Sequence, residues 1–237
     1  MKISVCMATY NGEKYIARQL ASILTQLDIN DEVIITDDSS TDNTVEVIES
    51  LNDERLKLFK KNNYHSATYN FENALRKASG DLIFLSDQDD IWIQNKVSTI
   101  LKYLKEFDLV VHDCIVIDED CNVLNDSYFK IVNSKKGFFK NIMKNSYLGC
   151  CMAFKRNILE KCLPFPKNLI AHDIWIGLIS DMIGKTLFLD SKLILYRRHT
   201  STFTYAGRKS RNSMLFKIKY RIILTAQIFR KYCELVL

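Results

Sequence analysis

Leu82-Ile83-Phe84-Leu85-Ser86-Asp87-Gln88-Asp89-Asp90 is the stretch on which the fold of this chain turns. The apolar run reads as a buried strand, and carboxylates directly after such a strand mark the rim where α/β sheets bind ligands. Asp87, Asp89 and Asp90 repel one another unless solvent, a cation or basic side chains offset the charge. A hard divalent cation such as Mn2+ or Mg2+ shared with a phosphate does this, since it takes a few carboxylates and completes its shell from phosphate oxygens. The plainer use is a solvated turn with Asp90 capping a helix from Ile91, which leaves Asp87 and Asp89 unexplained.

The same strand-then-polar pattern occurs twice upstream. Residues 3–8 read as a strand followed by Thr9-Tyr10-Asn11, and 32–36 as a strand followed by Asp37-Asp38-Ser39-Ser40. A third strand is expected at 56–59. Helices are expected at 13–27, with Ile16, Leu20 and Ile23 inward, from residue 42 onward, and at 68–78, closed by Gly80. Such alternation predicts an α/β, Rossmann-like fold with a mixed, mostly parallel central sheet flanked by helices, and it puts the three polar clusters on one rim. Downstream the pattern is less regular. Strands at 109–112, 151–154, 186–189 and 193–197, with a helix at 172–182, suggest some antiparallel pairing.

With 237 residues, 47% apolar and 26% charged, the chain can bury a real core and is not disordered. Its seven cysteines have neither zinc-site nor disulfide-framework spacing, so reduced, mostly buried thiols are expected. No run approaches the roughly 18 apolar residues of a membrane span, and the expectation is a cytoplasmic protein. The net charge of +5 is concentrated after residue 206, where Arg208, Lys209, Arg211, Lys217, Lys219, Arg221, Arg230 and Lys231 face only Glu234. This divides the chain into a main domain, 1–206, and a basic amphipathic helical tail, 207–237. Leu215, Ile218, Ile222, Ala226, Phe229 and Cys233 form the tail's apolar stripe, suited either to packing on its own domain or to lying peripherally on the inner face of a membrane. A nucleic-acid partner is not expected, because the basic residues are not interleaved with stacking aromatics. Neither a P-loop nor a dinucleotide-binding glycine motif is present.

Six motifs then occur in order. Met7-Ala8-Thr9-Tyr10-Asn11-Gly12, Thr36-Asp37-Asp38-Ser39-Ser40-Thr41-Asp42 and Ser86-Asp87-Gln88-Asp89-Asp90-Ile91-Trp92 resemble the signatures of family 2 glycosyltransferases with a glycosyltransferase A-type fold. Gly149-Cys150-Cys151-Met152-Ala153-Phe154, His172-Asp173-Ile174-Trp175 and Tyr196-Arg197-Arg198-His199 resemble later motifs of its rhamnosyltransferase-like bacterial branch.

The resemblance makes 1–206 the catalytic domain and implies an inverting transfer from a nucleotide-diphosphate sugar to a glycan or lipid-linked acceptor in surface polysaccharide synthesis. Thr9, Tyr10 and Asp38 would hold the nucleoside, with Asn11, Glu13 and Asn70 as further donor contacts; Asp87 would approach ribose or diphosphate, and Arg197 a phosphate. Asp89 would bind the metal, joined by His199, and Asp173 matches the general base, with His172 where many members carry Glu. The chemistry is consistent: in one displacement the acceptor hydroxyl needs a carboxylate to take its proton, while a metal stabilises the leaving diphosphate. Trp92 and Trp175 either line the acceptor side or pack helices. Two other classes stand beside this reading: a non-catalytic module binding nucleotide sugars or glycans, and a nucleotidyltransferase, which commonly has a glycine-rich basic loop where this chain has Thr9-Tyr10-Asn11.

Overall fold

The computed structural model describes residues 1–198 and 213–236. Its first half alternates strand and helix as the apolar periodicity requires: β1 (Ile3–Thr9), α1 (Ile16–Leu24), β2 (Glu32–Asp37), α2 (Thr44–Ser50), β3 (Leu56–Phe59), α3 (Ala67–Lys77) and β4 (Leu82–Ser86). All four strands pair in parallel, in the order β3-β2-β1-β4. Because β1 feeds neighbours on both sides, the crevice outside its carboxyl end is a topological switch point, the usual ligand position in such sheets. Thr9 aligns with Asp37, and Met7 with Ser86, so the three polar clusters share one rim.

The second half comprises β5 (Ile91–Trp92), α4 (Lys96–Tyr103), β6 (Leu109–Ile117), β7 (Val123–Asn125), α5 (Tyr128–Val132), α6 (Phe138–Met143), β8 (Met152–Lys155), α7 (Arg156–Cys162), α8 (His172–Ile183), β9 (Thr186–Arg197) and α9 (Met214–Val236). The sheet continues β4-β8-β6-β9-β5, with β7 pairing the edge of β6. β8 is antiparallel to both β4 and β6, β5 is antiparallel to β9, and β6 and β9 are parallel. The antiparallel pairing expected downstream is therefore present.

Alternate residues of the central strands feed two apolar layers. Val5, Ile35 and Phe84 join the side covered by α1, α2 and α4, while Cys6, Ile34 and Ile83 join the side covered by α3, α7, α8 and α9. All seven cysteines are free thiols, five of them buried.

Several sequence expectations need correction. Residues 91–92 form a strand rather than the start of a helix: Ile91 and Trp92 pair with Leu195 and Ile194, and the helix begins only after Asn95, whose φ is +69°. Asp90 is thus not a helix cap. The two short strands expected at 186–189 and 193–197 are one long strand, kinked by a register shift against His112 and Asp113. Gly80 does not end α3, which stops at Lys77; it permits a close approach to β1, since a Cβ there would lie 2.6 Å from the Ser4 amide nitrogen. The tail helix packs on α6 and α8, but through Leu224 and Ile228, while Leu215, Ile218, Ile222, Ala226 and Phe229 of the expected stripe are exposed. Among the described residues, no helix is long and apolar enough to cross a membrane.

Candidate active site

The loops after β1 and β4 are held together by one side chain. Tyr10 N donates to Gln88 Oε1 at 2.9 Å, and Gln88 Nε2 donates to Tyr10 O at 3.0 Å. Gly12 makes room for this amide, since a Cβ there would lie 2.5 Å from Gln88 Oε1. Beneath, the buried Gln19 of α1 donates to Ser86 Oγ at 2.7 Å and Asp87 O at 3.0 Å, fixing the end of β4. The loop after β2 is tied in by Asn11, whose Oδ1 accepts from Thr41 N and whose amide donates to Ser40 Oγ, and by Glu13, whose carboxylate accepts from Asn43 N and Nδ2.

This framework carries the acidic cluster. Asp90 is buried; its Oδ1 accepts from Arg197 N at 2.9 Å, and its Oδ2 is buried without a partner. Burial, reinforced by the charges of Asp89 and Asp87, raises the Asp90 carboxyl well above its ordinary range. Asp87 is pushed up to about 7 by burial and then by Asp89, with a smaller contribution from Asp173. Among the described residues, Asp87, Asp90 and Cys150 offer ligand atoms all within 4.8 Å of one another, a spacing one cation can bridge. Asp89, the expected metal ligand, is not in that trio, although its charge acts on both aspartates. Two carboxylates, one of them with an orphaned buried oxygen, fit a divalent cation, and the Cys150 thiol adds a softer donor than the sequence reading included.

Lys96 is the residue that sequence reading missed. Fully buried, it donates to Cys150 O at 2.9 Å and lies 4.1 Å over the Trp92 ring, and burial lowers its ammonium to about 8. Through the Cys150 carbonyl it is a buried cation beside the cluster. No local pattern marks it, because a lysine one residue into a helix reads as solvated.

Asp173 sits in the first turn of α8, half-buried, with Oδ1 accepting from Ile174 N at 2.7 Å and Oδ2 facing Asn145 Nδ2 at 3.5 Å. Burial pushes its carboxyl up to about 6 against those hydrogen bonds. Its charge registers at Asp87 and at Tyr220 of α9, so it shares one electrostatic space with both. The neighbouring His172 stacks on Phe71 at 4.1 Å, has a buried Nε2 without a partner, and is pushed down to about 4 by burial. It is a neutral, partly buried ring packed on Phe71.

The remaining candidates are placed as follows. Tyr10 is on the rim and more than half exposed. Thr9 donates from Oγ1 to Asp37 at 2.9 Å, and Asp38 accepts from Tyr64 N and Ser66 N, anchoring the 62–66 loop. Asn70 is buried with Nδ2 on Thr36 O at 2.8 Å and Oδ1 without a partner. Arg197 is buried: its guanidinium donates to the carbonyls of Asp89, Asp118 and Glu119 and lies 5.0 Å over Tyr15, where sequence reading put a phosphate. His199 lies outside the described residues. Trp92 and Trp175 both pack: Trp92 lies beside Phe84, and the indole of Trp175 donates to Cys162 O at 2.9 Å.

A switch-point crevice edged by carboxylates, on a mixed sheet of this order, is the glycosyltransferase A architecture. The Staphylococcus aureus TarS structure with UDP-GlcNAc superposes with a TM-score of 0.73 at 21% identity, over 96% of this chain and 66% of that one. Residues 4–163 match the model of glycosyl transferase family 2, and the chain belongs to that family. Among its relatives, the Escherichia coli UDP-Glc:alpha-D-GlcNAc-diphosphoundecaprenol beta-1,3-glucosyltransferase WfgD is 27% identical over 76% of this chain and 70% of its own length. The Shigella flexneri dTDP-rhamnosyl transferase RfbG is 25% identical over 91% of this chain and 77% of its own length.

Proposed function

We propose that this family 2 glycosyltransferase carries out inverting transfer from a nucleotide-diphosphate sugar to a lipid-linked glycan acceptor in surface polysaccharide synthesis. The observation that carries the reading is the carboxylate cluster on the switch-point rim, Asp87 and Asp90 with Cys150, together with a half-buried Asp173 fixed in the first turn of α8 by Ile174 N. Relatives named for dTDP-rhamnosyl transfer and for a diphosphoundecaprenol acceptor support the donor and acceptor classes.

The roles follow from the chemistry. Asp173, as general base, takes the proton of the acceptor hydroxyl as its oxygen bonds the anomeric carbon and the bond to the diphosphate breaks. A base near pH 6 is largely ionised at neutral pH yet still basic enough to accept that proton. Mn2+ or Mg2+ would be held by Asp89 and the Asp87–Asp90–Cys150 trio, and when bound it supplies charge to the leaving diphosphate. The exposed Tyr10 ring offers a face for the base, and Asn11, Glu13 and Asp38 shape the nucleoside side by fixing the loops around it. Arg197 serves the site by anchoring Asp90 through its amide.

The test is a panel of nucleotide sugars with and without Mn2+, read by thermal shift and by donor hydrolysis. One donor that stabilises the protein only with metal supports the reading. If every donor binds equally without metal, the cluster's role is overturned.

A further inference from the structure

The tail helix also builds a cavity. Between α9, the end of α6 and the start of α8 lies a space of about 340 Å3. Ile142, Ile170, Ile174, Phe216 and Tyr220 give it apolar walls, and Lys144, Lys217 and Arg221 contribute cations. None of the described residues lining it is acidic. It adjoins the candidate base: Ala171 and Ile174 of its wall flank Asp173 in sequence, and wall residue Asn145 faces the Asp173 carboxylate at 3.5 Å. Arg221 Nη2 donates to Met143 O at 2.5 Å, so the helix is fastened to α6 at the cavity itself.

We propose that this cavity is the acceptor subsite, and that it takes the diphosphate and the first part of the lipid chain of a lipid-diphosphate-linked sugar. The inference rests on the transferase reading above and adds the location and chemistry of its second substrate. Charge complementarity selects the occupant: Lys144, Lys217 and Arg221, with no acid among the described lining residues, suit a diphosphate. A glycan alone would leave the apolar walls unmatched, because its hydroxyls need hydrogen-bond partners. Asp173 then stands beside the head group, where the sugar hydroxyl must be.

The test uses the whole chain and calorimetric titration with farnesyl diphosphate, farnesol and inorganic pyrophosphate, each with and without saturating UDP. Farnesyl diphosphate is expected to bind with UDP present, at least about tenfold tighter than either fragment, since charge and chain each contribute. The double variant Lys144→Glu/Lys217→Glu and, separately, Phe216→Asp should each weaken it by at least about tenfold while leaving UDP affinity unchanged. Circular dichroism checks that both remain folded. Unchanged farnesyl diphosphate affinity in both variants, or its displacement by UDP, overturns the proposal. Should no nucleotide sugar bind while farnesyl diphosphate keeps these sensitivities, the donor reading fails and the lipid-diphosphate site stands.

Discussion

Gln88 and Tyr10 are paired as two strands would be, one side-chain amide donating to and accepting from one backbone unit across the crevice. The link makes the third residue of the acidic motif region structural rather than chemical. It also couples the rim that presents Tyr10 to the cluster beside it.

Gln88→Ala therefore loosens two loops at once. Loss of both hydrogen bonds should cost about 1–3 kcal/mol, visible as a Tm lowered by several degrees, with a raised KM for the donor. Gly12→Ala should do the same by displacing the amide, because its new Cβ would meet Gln88 Oε1 at 2.5 Å. Wild-type melting in both variants would contradict this pairing.

Asp173→Asn should lower kcat by about 100- to 10,000-fold and leave nucleotide binding intact. In the wild type, activity should rise with pH through about 6 and level off above it, since the base must be ionised. Stability should move the other way. A carboxyl whose folded value is raised favours the protonated fold, so stability declines as pH climbs from the ordinary carboxylate range through about 6. Asp173→Asn should remove its share of that decline in denaturant titrations, leaving the part due to the raised Asp87 and Asp90.

Asp90→Asn keeps an oxygen for Arg197 N but removes the charge of the orphaned Oδ2. Mn2+ affinity, read from free Mn2+ by electron paramagnetic resonance, should fall by about tenfold or more. Cys150→Ser should weaken Cd2+ more than Mn2+ and remove the thiolate-to-cadmium absorption band, because thiolate favours the softer ion. A band that survives in Cys150→Ser would exclude this sulfur as a ligand.

Lys96→Met preserves length and packing on Trp92 but leaves Cys150 O without its donor and the acidic cluster without its buried cation. We expect a loss of about 1–3 kcal/mol. Metal should recover more stability in this variant than in the wild type, since a bound cation replaces the missing charge.

Much of the fold was legible because the evidence for it is local. Apolar runs such as Leu82 to Leu85, alternating with helical periodicity at Ile16, Leu20 and Ile23, are written in neighbouring residues and correspond to β4 and α1. Strand 91–92 was not legible, because two residues have no period of their own and pair only with the distant Ile194 and Leu195. The tail shows the same limit. Two apolar lines run along α9, and periodicity cannot say which one meets the domain; Leu224 and Ile228 do so because α6 and α8 lie there.

The same division holds at the site. By itself, the sequence determined the strand-helix alternation, the rim of three polar clusters and the family, since each rests on residue order. Only the tertiary structure decided what each polar atom faces. It gave the guanidinium of Arg197 to carbonyls, put the buried Lys96 ammonium on the Cys150 carbonyl, added Cys150 to the acidic cluster and set Asp173 beside a cavity walled by the tail. The physical reason is that charge and hydrogen bonding act through space over a few ångströms, and these partners are separated by tens of residues along the chain.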